Sequence, residues 1–211
     1  NSTIPVIKHY KGVCTVFVDE SADPETARIL TVDAKCQRPS VCNAAENLIV
    51  HSAAAERLLP PVAKRLAELG VQLRASERAG AVLEKASIPF VPATEEDFST
   101  EYIDLIISID LVDSVEAAAE FINKYGSVHS HLIITQSEQN AEKFLNLVDS
   151  ATVYWNASTR FTDGFEFGLG AEIGISTDKL HARGPMGLRE LCSYKYKVRG
   201  SGQTRGKPDG K

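Results

Sequence analysis

Hydrophobic positions along this chain follow two alternating rhythms. Short runs rich in β-branched residues read as strands: Gly12-Val13-Cys14-Thr15-Val16-Phe17-Val18, Leu48-Ile49-Val50-His51, Val71-Gln72-Leu73-Arg74, and the stretches 102–111, 130–135 and 152–156. Between them apolar residues recur at helical spacing. A helix opens at Asp23-Pro24-Glu25 with an acidic, proline-bearing first turn, and another runs over 53–69 and ends at Gly70. Further helices are predicted over 76–86, 114–125 and 139–148. This order predicts an α/β fold, a mostly parallel sheet with helices on both faces.

After Asn156 the rhythm breaks. Glycines at 164, 168, 170, 174, 184 and 187 interrupt a long stretch of little periodicity, and long irregular segments in compact domains tend to be functional or disordered. Leu191-Cys192-Ser193-Tyr194-Lys195-Tyr196-Lys197-Val198 alternates like a strand with no later strand to pair with, which fits pairing with another chain or domain. The expected organisation is therefore a thiol-bearing domain over 1–160, a return segment over 161–190, a pairing strand over 191–199 and a polar, glycine-rich tail over 200–211.

Composition narrows the classes. The 211 residues are 43% hydrophobic and 24% charged, enough for a sizeable core. A net charge of −5 argues against nucleic acid or an anionic membrane surface as a general partner. No apolar run reaches the roughly 20 residues of a membrane span, and no signal-peptide pattern opens the chain. The cysteines at 14, 36, 42 and 192 lack metal-site spacing and are too sparse for a disulfide scaffold, which points to a reducing cytoplasm.

Candidate chemistry centres on Gln37-Arg38-Pro39-Ser40-Val41-Cys42-Asn43-Ala44. With Ser40 capping a short helix and Arg38 nearby, the positive end of that helix would favour a thiolate at Cys42. The competing reading is a small buried hydrophobe. Ser158-Thr159-Arg160 places two hydroxyls and a guanidinium after a strand, suited to clamping an oxyanion, and Arg183 is a second anion-binding candidate. For each arginine the alternative is an ordinary ion pair. His129 and His131 would share a strand face, where a structural role outweighs a metal clamp.

The Gln37 to Ala44 block, Val153-Tyr154-Trp155-Asn156-Ala157-Ser158-Thr159-Arg160-Phe161-Thr162-Asp163-Gly164, then 167–174 and His181-Ala182-Arg183-Gly184-Pro185-Met186-Gly187-Leu188, closely resemble the γ-glutamyl phosphate reductase family of the aldehyde dehydrogenase superfamily. The resemblance covers nearly the whole chain, with one departure: His131 stands where the family usually has an acid. It implies an aldehyde dehydrogenase-like catalytic domain with a C-terminal oligomerisation strand, and a dinucleotide-binding half upstream of Asn1. No glycine-rich strand-to-helix turn stands in this chain to cradle a pyrophosphate.

The implied chemistry is NADPH-dependent reduction of L-glutamyl 5-phosphate to L-glutamate 5-semialdehyde through a Cys42 thioester, a step of proline biosynthesis. The backbone N–H of Cys42 and the amide of Asn43 are the local oxyanion donors. Ser158, Thr159, Arg160 and Arg183 would bind substrate, and Glu101 stands where the superfamily contacts the nicotinamide ribose, with a solvated carboxylate as the alternative. Asp163 either accepts from the substrate ammonium or shapes the Asp163-Gly164 turn. The implied partners are the small-molecule substrate, glutamate 5-kinase and further copies of the chain through the C-terminal strand. Two other readings remain open: a non-catalytic assembly module, and a hydrolytic aldehyde dehydrogenase in which Glu46 activates water. The Gln37-Arg38-Pro39-Ser40 wording is closer to the stand-alone reductase than to a fused kinase–reductase.

Overall fold

The computed structural model describes residues 3, 6–8, 11–179 and 181–205; the expected tail over 206–211 lies outside them. In chain order the elements are β1 (Cys14–Val18), α1 (Pro24–Cys36), β2 (Ala45–His51), α2 (Ala55–Glu68), β3 (Gln72–Ala75), α3 (Glu77–Lys85), β4 (Val91–Pro92), β5 (Ile106–Val112), α4 (Val115–Tyr125), β6 (Ser130–Ile134), α5 (Glu138–Leu147), β7 (Thr152–Trp155), β8 (Gly174–Ser176) and β9 (Gly184–Met186). The first seven strands form one parallel sheet in the order β4-β3-β5-β2-β1-β6-β7. β8 and β9 pair antiparallel as a separate ribbon.

Alternation along the strands builds two apolar layers. Val16 and Val18, Leu48 and Val50, Leu132 and Ile134 face a core closed by α1, α2 and α3. Their neighbours Phe17, Ile49 and Ile133 face a second core under α4 and α5. Every residue of β1 and β6 is therefore buried, as a parallel sheet covered on both faces requires. Each fully buried Leu, Ile or Phe contributes about 1.5–3 kcal/mol. Side-chain caps start four of the helices: Asp23 accepts from Thr26 N, and Ser76, Ser114 and Ser137 cap α3, α4 and α5, the last beginning at Glu138, one residue before the expected start. The short edge strand β4 ends in Pro92, which suits a sheet margin.

Two local expectations fail, and the expected pairing strand takes no partner among the described residues. Residues 38–44 form turns, not a helix capped by Ser40, and β2 begins at Ala45 because parallel neighbours on both sides, β1 and β5, draw the chain into the sheet early. The strand expected from 102 begins at Ile106, because Ile103 adopts φ +56°, a left-handed conformation that no strand contains. Residues 191–198 form no strand within the chain; Tyr194, Tyr196 and Val198 are almost fully exposed. A strand is a pairing state, and the described residues offer this segment no partner.

Candidate active site

Cys42 sits in the turn leading into β2, at the amino-terminal edge of the sheet. The start of β1 closes on it: a Cβ on Gly12 would meet the Cys42 carbonyl oxygen at 2.1 Å, so glycine is what permits the approach. Cys14, buried at the start of β1, donates its thiol to that same oxygen at 3.3 Å. Between Cys14 and Thr15 the β1–β2 register slips by one, leaving Glu46 as the extra residue of a bulge.

From the other side, the chain after β7 folds back onto this turn. Ser158 caps a single 3₁₀ turn over Thr159–Phe161, and Thr159 donates its hydroxyl to the Asn43 carbonyl at 2.7 Å. Asn43 is buried. Its Nδ2 donates to the carbonyls of Thr162, at 3.0 Å, and Arg160, at 3.5 Å, while its Oδ1 accepts from the Arg160 guanidinium. Arg160 Nε donates to Gln37 Oε1 at 2.9 Å. Thr162 is in turn held by Ser130 and Tyr154 through hydroxyl contacts of 2.6 and 2.8 Å. The turn bearing Cys42 is thus tied by hydrogen bonds to α1 and to the return segment.

This network reassigns several candidates. With both amide hydrogens of Asn43 engaged by carbonyls, its side chain positions the return segment and is not aimed at an oxyanion. Ser158 and Thr159 are buried and occupied by backbone, so of that trio Arg160 alone lines the open surface. Arg183 is held by Asp149, through its side chain at 3.0 Å and its carbonyl at 3.2 Å, and so forms the ion pair that was the alternative to anion binding. Asp163 Oδ1 accepts from Phe165 N and Glu166 N, the turn role.

The electrostatics also differ from the helix-end expectation. With no helix at Ser40, burial is the strongest influence on Cys42 and pushes its thiol up; the Glu172 carboxylate adds to this, its own backbone N–H opposes, Glu101 raises and Arg160 lowers. Glu172 lies in the return segment, accepts from Gly164 N at 2.9 Å, and carries no local cue that would have singled it out. Glu101 reaches Cys42 electrostatically from the loop before β5, the strand beside β2. Cys14 is raised further still by complete burial, which leaves it a packing thiol.

Glu46 is not placed to activate water. It is buried against Lys35 at 2.7 Å, with its second oxygen 3.4 Å from Ile103 N. Burial pushes Glu46 up to about 7 and Lys35 down, each partly restored by the other. His131 is likewise structural: Nδ1 accepts from Thr15 N at 3.1 Å, so Nε2 carries the proton donated to Ser127 O at 2.6 Å. Burial lowers its pKa to about 4. Among the described residues no cluster of metal-ligating side chains occurs, and no helix is long and apolar enough to cross a membrane.

Comparison with known proteins places this geometry. No family model matches the chain. It is 58% identical over 205 residues to the γ-glutamyl phosphate reductase of Caldicellulosiruptor bescii, covering 97% of this chain and 49% of that protein. With the enzyme of the same name from Opitutus terrae it shares 56% identity over 206 residues, 97% of this chain and 48% of that protein. The chain thus spans about half the length of the curated relatives it matches. The crystal structure of γ-glutamyl phosphate reductase from Thermotoga maritima superposes with a TM-score of 0.90 at 50% identity, over 98% of this chain and 49% of that one. An acetylating aldehyde dehydrogenase from Geobacillus thermoglucosidasius shares the fold, with a TM-score of 0.64 at 18% identity over 96% of this chain and 54% of that one.

Proposed function

We propose that this chain, a homologue of one half of the γ-glutamyl phosphate reductases, is the thiol-bearing part of an enzyme that reduces L-glutamyl 5-phosphate to L-glutamate 5-semialdehyde with NADPH and releases phosphate. The observation that carries the reading is the construction around Cys42: a half-buried thiol on a turn clamped by Gly12, Cys14, Asn43 and Thr159, with Arg160 and Glu101 within electrostatic reach. A packing cysteine needs no such clamp.

In the first step the Cys42 sulfur bonds to the acyl carbon and the carbon–oxygen bond to phosphate breaks; the thiol proton leaves on the phosphate. Because burial and Glu172 hold the thiol protonated, positive charge brought near it by Arg160 favours attack. Negative charge then develops on the acyl oxygen, and the backbone N–H of Cys42 is the local donor that remains for it. Glu101, within electrostatic reach of Cys42, would hold ribose hydroxyls beside the thioester, whereas nothing among the described residues resembles a pyrophosphate cradle. These residues fit the reactive end of a nicotinamide cofactor, which when bound supplies the hydride. Collapse of the resulting tetrahedral adduct breaks the carbon–sulfur bond, frees the aldehyde and returns Cys42 to solvent for reprotonation. Glu46, engaged by Lys35, leaves the thioester without a local base for hydrolysis.

The exposed 191–198 segment is the surface through which copies of the chain would pair, and glutamate 5-kinase the activity that supplies the acyl phosphate. Cys42→Ala is expected to abolish NADPH-dependent semialdehyde formation, whereas Cys192→Ser, at an exposed thiol, leaves it intact. Turnover by Cys42→Ala above a few per cent of the unmodified protein would remove Cys42 from the mechanism.

A further inference from the structure

Between the last turns of α1 and the return segment lies a cavity of about 280 Å³ lined by Asp33, Gln37, Arg160, Phe161, Asp163 and Glu166. Arg160 is fixed there from two directions, by Gln37 at the end of α1 and by Asn43, the residue after Cys42. Two of its five N–H donors are so engaged, which leaves the rest of the planar fork for a ligand. Among the described residues, the Asp33 carboxylate has neither a hydrogen-bond nor an ion-pair partner. Asp163 is held in its turn by Phe165 N and Glu166 N through one oxygen only, Oδ1.

The charge balance decides which end of a substrate this cavity takes. One guanidinium stands among three carboxylates, so a phosphate carrying nearly two negative charges would be repelled by the walls. A group with its own positive charge beside a carboxylate satisfies both signs. Resting on the reading of the chain as acting on glutamyl phosphate, we infer that this cavity is the subsite for the α-amino acid head of the substrate: Arg160 pairs with the α-carboxylate, and Asp33 with Asp163 receives the α-ammonium. The acyl phosphate end then points away from Arg160 toward Cys42. Arg160 therefore recognises the amino acid and does not clamp the leaving phosphate. Asp33, in the last turn of α1, and Gln37, the residue that caps its end, become specificity residues.

The test is a titration of the isotopically labelled chain, reading the Arg160 Nε–H and the amides of 33–37 by nuclear magnetic resonance. L-Glutamate, glutarate (no ammonium), 4-aminobutanoate (no α-carboxylate) and inorganic phosphate are the probes. L-Glutamate is expected to shift these signals. Glutarate and 4-aminobutanoate are each expected to bind about tenfold or more weaker, the usual loss for one charged hydrogen bond. Asp33→Asn, on a half-buried side chain whose loss opens no core, should bring L-glutamate down to the level of glutarate. Equal binding of glutarate and L-glutamate, displacement of L-glutamate from Arg160 by phosphate, or no response to L-glutamate would each overturn the inference. Turnover surviving in Cys42→Ala would instead sink the reductase reading, so the two failures are separable.

Discussion

Gly12→Ala is the sharpest test of the clamp on Cys42. Gly12 does not lie in the left-handed region, so the requirement there is steric alone: the added methyl would meet the Cys42 carbonyl oxygen at 2.1 Å and its Cα at 2.8 Å. Ordinary contact begins near 3.4 Å, so the start of β1 and the Cys42 turn must part by more than about 1 Å. Both partners are backbone, and neither yields by rotating a side chain. The turn is also tied to Cys14 through its carbonyl and to Thr159 through the carbonyl of Asn43, so separation breaks or stretches those bonds. Overpacking of this kind costs about 1–3 kcal/mol, which at this chain length lowers the melting temperature by about 2–12 °C. The consequence for reactivity is larger, because a displacement of about 1 Å at a reacting group can cost on the order of a hundredfold in rate. Thermal unfolding and the rate of iodoacetamide modification at Cys42, followed by peptide mapping, measure the two effects separately. A variant that melts with the unmodified protein and alkylates at the same rate would refute the claim that this contact fixes the nucleophile.

Glu172→Gln removes the strongest charge opposing the Cys42 thiolate, so its apparent pKa in an alkylation profile should fall; Arg160→Gln should raise it, and two unmoved profiles would detach both residues from the thiol. Lys35→Met strands a buried Glu46 carboxylate and is expected to cost about 3–5 kcal/mol in chemical unfolding, most of it recovered when Glu46→Leu is added; additive losses would contradict the coupling. His131 has a folded pKa of about 4 against about 6.5 unfolded, so the unfolded chain binds the extra proton first as the pH drops. Stability attributable to His131 is therefore full above pH 6.5 and lost progressively toward pH 4, by about 3 kcal/mol, and His131→Gln should flatten that slope in urea titrations at pH 7 and pH 5.

What the sequence made legible, and what it hid, follows from how far each effect reaches. Val16, Phe17 and Val18 alternate between two cores, and the same alternation at Leu48, Ile49 and Val50 announces a sheet buried on both faces. Caps at Asp23, Ser76 and Ser114 act on amides three residues away and are read from a short window. The motif that contains Cys42 is legible in the same way. Its environment is not. Ser40 and Pro39 are sound helix-start residues, yet β1 and β5 offer Ala45–His51 parallel partners on both sides, and a ladder in the sheet interior outcompetes a short helix with nothing to pack against. Asn43 is chemically fit to donate to an oxyanion, but the carbonyls of Arg160 and Thr162 fold back to claim both its hydrogens. Arg183 is fit to hold an anion, and Asp149 supplies one from within the chain. For Asn43 and Arg183 the partner was decided by the return of the segment after β7. The Cys42 thiol is the extreme case, because burial, Glu172, Glu101 and Arg160 reach it from separate parts of the chain and pull in opposite directions. No window around Pro39 contains those charges, so the sign of the shift could only come from the assembled site. A thiol held protonated here until a cationic neighbour or a bound substrate tips the balance is protected from adventitious oxidation, which acts on thiolates.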